Sequence, residues 1–202
     1  MNAYARAMRT NEVSLMHHPK WVDFDSATFV DSSDVLARPA LPAEVPELFA
    51  QVSHGINAAI AAESVVAGLA MRDSESVWAF ERNGRLVGAF ALLKLNALGV
   101  ERLVGGRMDM RDPAPRTLAG PQDAPAGVYF WALLARGRAR LGVSRVLRWL
   151  QEPRFQRADL WATPVTADGQ RFVDNLGFLP VAGSPVTGLC RYRRHLNLKR
   201  TA

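Results

Sequence analysis

The run from Tyr129 to Leu150, YFWALLARGRARLGVSRVLRWL, leaves the chain few choices. Seven consecutive apolar residues, Tyr129 to Ala135, form a β-type run. After a basic, glycine-containing turn, Val143, Val146, Leu147 and Leu150 recur at i, i+3, i+4 and i+7, the spacing of one helical face. Strand, turn and helix in that order call for a mixed architecture in which a helix covers a sheet. The turn predicts free backbone N–H groups of Leu141, Gly142, Val143, Ser144 and Arg145 at a helix N-terminus. There the macrodipole and the unpaired donors favour an anion. Arg136, Arg138 and Arg140 crowd the same mouth.

The flanking segments fill out such a fold. Val35 to Arg38 is a short strand, followed by Pro39, Pro42 and a helix with Val45, Leu48, Phe49 and Val52 on one stripe. A second, alanine-rich helix is expected from Ile56 to about Ala70. Ser76 to Glu81 and Arg85 to Leu95 flank Asn83-Gly84, a dipeptide suited to the positive φ angles of a tight hairpin. Gly99 to Asp112 is less regular and is expected to be a further strand or a turn. Asp112 to Gly127 holds four prolines and two glycines, which rule out a regular element and predict a loop covering a ligand. Beyond the helix come a strand from Asp159 to Thr163 and a helix capped by Thr166 or Asp168 and closed by Gly177. Two closing strands follow, Leu179 to Val181 and Thr187 to His195. Residues 1–33 lack a sustained period and form an N-terminal arm or an added edge segment, leaving residues 34–202 as a single domain.

Composition narrows the function. With 202 residues, 49% hydrophobic and 22% charged, the chain can bury a sizeable core. No apolar run reaches membrane-spanning length. A single cysteine, Cys190, excludes an internal disulfide framework and fits a reducing cytoplasm. Four scattered histidines, His17 and His18 adjacent among them, show no metal-ligand spacing. The net charge of +6 suits an anionic ligand, either a nucleotide-bearing molecule or a nucleic acid.

The segment ARLGVS, Ala139 to Ser144, resembles the pyrophosphate loop [Gln/Arg]-x-x-Gly-x-[Gly/Ala] of the GNAT superfamily of acyl-CoA N-acyltransferases. Gly142 stands on the central glycine, Ser144 on the last small residue, and Ala139 where Gln or Arg is usual. FVDNLGF is similar to the superfamily's helix-to-strand ending, and the resemblance runs from about Val35 to the C-terminus. It implies a mixed, mostly antiparallel central sheet of about six to seven strands flanked by about four helices and splayed at the cofactor strand. It further implies acetyl-CoA or another acyl-CoA as co-substrate, no metal, and transfer of the acyl group to an amine by direct attack. The acceptor is then a small molecule or a protein, and a homodimer is left open.

On that resemblance, the Leu134 backbone N–H points at the thioester carbonyl, with Leu133 and Ala135 beside it. Arg138, Arg140 and Leu141 to Arg145 hold the phosphates. The tyrosine that many members use as general acid falls on Val173, so Tyr129 and Tyr192, the nearest phenols by sequence region, are the candidate substitutes. Glu81, Glu101 and Asp109 are candidate bases by their place near central strands, and His54, Asn57 and Glu63 are candidate acceptor contacts. Ala139 and Val173 together support an alternative, a GNAT-like protein that binds CoA or an acyl carrier with little catalysis. The tail RYRRHLNLKR supports another, a basic nucleic-acid-binding module.

Overall fold

Asn83-Gly84 sets the centre of the sheet. In the computed structural model, which describes residues 24–29, 34–55 and 61–194, these two residues adopt φ of 53° and 71°. They join β2 (Val77–Arg82) to β3 (Arg85–Leu95) as a tight hairpin. β1 (Leu36–Pro39) pairs with β2, and β4 (Gly127–Ala135) with β3, all antiparallel. β5 (Asp159–Ala162) lies parallel to β4, and β7 (Cys190–Tyr192) and β6 (Leu179–Pro180) complete the order β1-β2-β3-β4-β5-β7-β6. This seven-stranded, mostly antiparallel sheet agrees with the expected one in strand number and in the sense of its pairing.

Helices cover both faces, which explains why the central strands are apolar over most of their length. On one face α4 (Arg140–Trp149) and α5 (Ala167–Asn175) pack over Trp78, Phe80, Phe90, Leu92 and Phe130. Val143, Val146, Leu147 and Leu150 are all buried, as their spacing requires. Each contributes about 1.5–3 kcal/mol through removal from water. On the other face α1 (Val45–Gly55) and α2 (Glu63–Arg72) cover Val77, Ala79, Ala89 and Ala91. Residues 56–60 of the expected second helix lie outside the described residues, and α2 itself starts at Glu63. α5 begins where Thr166 Oγ1 accepts from Gly169 N at 3.0 Å, and Gly177 follows it at φ 81°.

Two expectations are corrected. The irregular stretch after Leu95 is a fifth helix, α3 (Ala97–Val104), started by Asn96 Oδ1 accepting from Gly99 N at 2.9 Å. Gly99 serves a close approach: a Cβ there would run into the Thr117 carbonyl. The proline-rich segment before β4 is likewise built into the fold rather than laid over it. Leu118 bridges to Leu95, Ala119 N donates to Lys94 O at 2.8 Å, and Ala126 N donates to Leu95 O at 2.8 Å. Asn96 Nδ2 donates to the carbonyls of Arg116 and Leu118. Lys94, its side chain 2% exposed, is held by Asp73 at 2.7 Å, Glu75 at 3.1 Å and the Pro121 carbonyl at 2.9 Å. Three acceptors for three ammonium protons make the buried charge tolerable.

Candidate functional site

β4 and β5 stay paired from Gly127 and Asp159 only as far as Phe130 and Ala162. β4 then runs on to Ala135 while β5 stops, so the two strands part and a cleft of about 710 Å³ opens between them. The parting coincides with a bulge: Leu92 faces Phe130 and Ala91 faces Ala132, so Trp131 has no opposite residue. One extra residue inverts the alternation, putting Phe130 and Leu133 on the α4 face and Trp131, Ala132 and Leu134 on the other. Trp131 Nε1 donates to Met110 O at 2.8 Å, which pins the inversion.

The floor of the cleft is aromatic. Phe90, Phe130 and Phe172 form a triangle of rings with centroids 5.1, 6.3 and 6.4 Å apart. Val143, Ser144 and Leu147 of α4 make one wall, and the start of α5 with Thr163 to Thr166 makes another. Arg136 and Arg140 stand at the mouth, without an ion pair among the described residues. The helical winding there starts earlier than Leu141. Arg136 is extended (φ −99°, ψ 145°), Gly137 takes φ 54° with open space around it, and Gly137–Ala139 is a 3-10 turn running straight into α4. Counted from Arg136, the loop pattern regains its basic first residue but meets Ala139 in place of its glycine.

Of the expected phosphate contacts, Arg140, Val143 and Ser144 line the cleft. Arg138, Leu141, Gly142 and Arg145 are not among its lining residues. Arg138 turns outward and bonds Asp34 at 2.6 Å, and that contact holds the Asp34 carboxyl below its usual range. Gly142 faces the sheet: a Cβ on it would stand 2.7 Å from Phe80 Cδ1. Its smallness serves helix-to-sheet packing, not a phosphate.

Leu133, Leu134 and Ala135 all border the cleft. The Leu134 carbonyl is turned to β3, where a Cβ on Gly88 would strike it. In an extended strand the N–H and C=O of one residue leave by the same edge. The amides on the cleft edge are therefore those of Leu133 and Ala135, and the expectation for Leu134 is corrected by one residue.

The two phenols are elsewhere. Tyr192 lies beyond β5, its ring against Phe24 and Phe178 and its hydroxyl donating to Asp25 Oδ2 at 3.3 Å. Tyr129 is buried on the α2–α3 face. Burial pushes its hydroxyl pKa up, against a hydrogen bond with Thr163 that lowers it, and a weaker acid is a poorer proton donor. Thr163 itself borders the cleft, as does Val173. Glu81 is taken by Arg38 at 2.8 Å, Glu101 sits on α3 paired with Arg107 at 2.6 Å, and Asp109 accepts from Arg111 N at 2.8 Å. His54 is exposed, its Nδ1 donating to Ala50 O, Glu63 is exposed at the start of α2, and Asn57 lies outside the described residues. Asp168, ion-paired with Arg171 at 3.3 Å, is the acidic residue on the cleft wall among the described residues.

The basic tail divides. Arg191 bonds Asp159 and stacks on Trp161, Arg194 is buried, and residues 195–202 with His17 and His18 lie outside the described residues. No helix among the described residues is long and apolar enough to cross a membrane.

Phe172, Thr163 and the start of α5 are cleft residues that the sequence does not mark. Nothing local to them signals a ligand, and the parting of β4 from β5 brings them in. The chain is similar to the solved structure of Ard1 from Thermoplasma volcanium, with TM-score 0.48 and 12% identity over 78% of this chain and 94% of that one. It is also similar to PH1933 from Pyrococcus horikoshii OT3, with TM-score 0.48 and 9% identity over 78% and 95%. No family model matches the chain. No curated protein matches it either. Neither structural likeness bears on function, which has to be read from the cleft's own residues.

Proposed function

We propose that this chain is an acyl-CoA-dependent N-acyltransferase, most simply an N-acetyltransferase, with the cleft between β4 and β5 as its donor site. The observation that carries the reading is the parting of the strands itself. It leaves an unpaired backbone edge, an aromatic floor and two arginines free of ion pairs among the described residues at the mouth of one cleft. A molecule with an anionic end and a long, mostly uncharged arm matches that distribution.

Acyl-CoA supplies the activated acyl group as a thioester. In this reading Arg136 and Arg140 bind its phosphates, helped by the first N–H groups of the turn, those of Gly137 and Arg138. The cleft-side amides of Leu133 and Ala135 orient the carbonyl and stabilise the charge that develops on it. An amine-bearing acceptor enters from the Trp131 and Ala132 side of β4. The floor of Phe130 and Phe172 and the Leu147 wall exclude water from the reacting centre.

The test is thiol release from a panel of acyl-CoA thioesters mixed with candidate amines. Cys190 is buried, so a thiol reagent reports the product against a low background. Amine-dependent release that is lost in an Arg136→Ala/Arg140→Ala protein is the expected result. Absence of both release and CoA binding would sink the reading.

A second reading, CoA binding with little turnover, is favoured by one observation. Val173 occupies the cleft position of the family's usual phenol, while Tyr129 and Tyr192 do not line the cleft. Binding without release under every acyl donor and amine would select it.

A further inference from the structure

We infer that Phe29, carried by the segment that precedes the first strand, is a ligand-contacting wall of the cleft, recognising the uncharged, planar or apolar part of a nucleotide thioester. The inference rests on the reading of the cleft as a CoA site and adds a residue outside the segment on which the resemblance stands.

Residues 24–29 are firmly tied to the domain. Phe24 is fully buried, its ring set edge-on to Tyr192 at 5.6 Å and under the Arg194 guanidinium at 4.9 Å. Asp25 takes the Tyr192 hydroxyl at 3.3 Å and faces Arg194 Nε at 3.4 Å. Gln151, just past α4, donates its side-chain amide to Phe24 O at 2.7 Å and to Ala27 O at 3.0 Å. From these anchors the chain delivers Phe29, whose ring packs on Phe24 at 5.4 Å and borders the cleft.

Phe29 is only half-buried, so part of its ring is left for a ligand to cover. An aromatic face that is held in place before binding loses little freedom on contact, and stacking on it is tolerant of ligand detail. The contact carries no charge, which separates it from Arg136 and Arg140 in experiment.

The test is calorimetric titration of CoA into the full chain carrying Phe29→Ala, Phe29→Tyr, Gln151→Ala, or Phe29→Ala with Gln151→Ala, at two salt concentrations. Phe29→Ala is expected to weaken CoA about 5- to 30-fold, as removal of an aromatic stacking partner does. The salt dependence should stay unchanged, whereas Arg140→Ala should flatten it. Phe29→Tyr restores affinity. Gln151→Ala weakens CoA when Phe29 is present and adds nothing when it is absent, since the amide acts only by positioning the ring. Thermal midpoints without CoA identify any variant that is poorly folded. Wild-type affinity in folded Phe29→Ala, or tighter binding from removal of an obstruction, overturns the inference and leaves the cleft assignment standing. A wild-type chain that fails to bind CoA overturns the assignment, and the inference with it.

Discussion

Replacing Gly142 separates two accounts of the same glycine. If it admits a phosphate, Gly142→Ala lowers CoA affinity; if it admits Phe80, the substitution lowers stability and leaves affinity alone. A Cβ at Gly142 stands 2.7 and 2.8 Å from Phe80 Cδ1 and Cγ, well inside van der Waals contact, and Phe80 is fully buried. Overpacking of this kind costs about 1–3 kcal/mol. Alanine in a helix interior recovers about 1 kcal/mol relative to glycine. The net expectation is a loss of about 1 kcal/mol, or about 2–4 °C in Tm for a chain of this size. Urea denaturation with matched slopes gives the number directly. In a Phe80→Leu background the collision is relieved, so Gly142→Ala should become neutral or stabilising, with a coupling of about 1 kcal/mol or more. A Gly142→Ala protein more stable than wild type by the full helix increment, or one that folds normally and binds CoA poorly, would refute the packing argument.

Other outcomes follow from the same geometry. Arg136→Ala and Arg140→Ala should each weaken CoA about 10-fold by titration, the loss of a charge-assisted contact. Arg138→Ala, whose guanidinium is exposed and turned to Asp34, should leave CoA affinity within about 2-fold of wild type. Leu118→Ala should cost about 2–4 kcal/mol in chemical denaturation, because the segment before β4 is packed and not a free cover. Replacing residues 112–126 by a short Gly-Ser link should unfold the protein or nearly so, as it strips Lys94 of an acceptor. Burial raises the Glu75 pKa, but hydrogen bonds from Arg154 and Lys94 outweigh it and the net shift is downward. Stability from this group is therefore complete above the unfolded-state Glu pKa of about 4.3 and lost as pH falls through the lower folded value. Glu75→Gln should flatten the acid limb of the stability–pH curve, and an unchanged limb would contradict the network.

The framework of the sheet was legible because its signals are local. Asn83-Gly84 demands a hairpin whatever surrounds it, and the Val143–Leu150 stripe demands a helix with one buried face. Thr166 and Gly177 mark the ends of α5 by their own chemistry. What could not be read depends on distant partners. Gly99 lies in a stretch read as a strand or a turn and Gly142 in one read as a phosphate loop, yet one gives room to the Thr117 carbonyl and the other to Phe80, each remote in sequence. The bulge at Trp131 leaves no trace in an all-apolar strand, so which amide faces the cleft was missed by one residue. Arg138 and Arg140 are equivalent in the sequence, and a helical turn that starts at Gly137 sends them in opposite directions. Phe29 carries no motif at all.

The central claim is that the parted strands hold CoA, and a crystal structure of the chain grown with CoA tests it most directly. The account predicts density for CoA between β4 and the α4–α5 wall, its pyrophosphate beside Arg136, Arg140 and the turn at Gly137–Ala139. Density elsewhere on the surface, or none at saturating CoA with the cleft open, would contradict it.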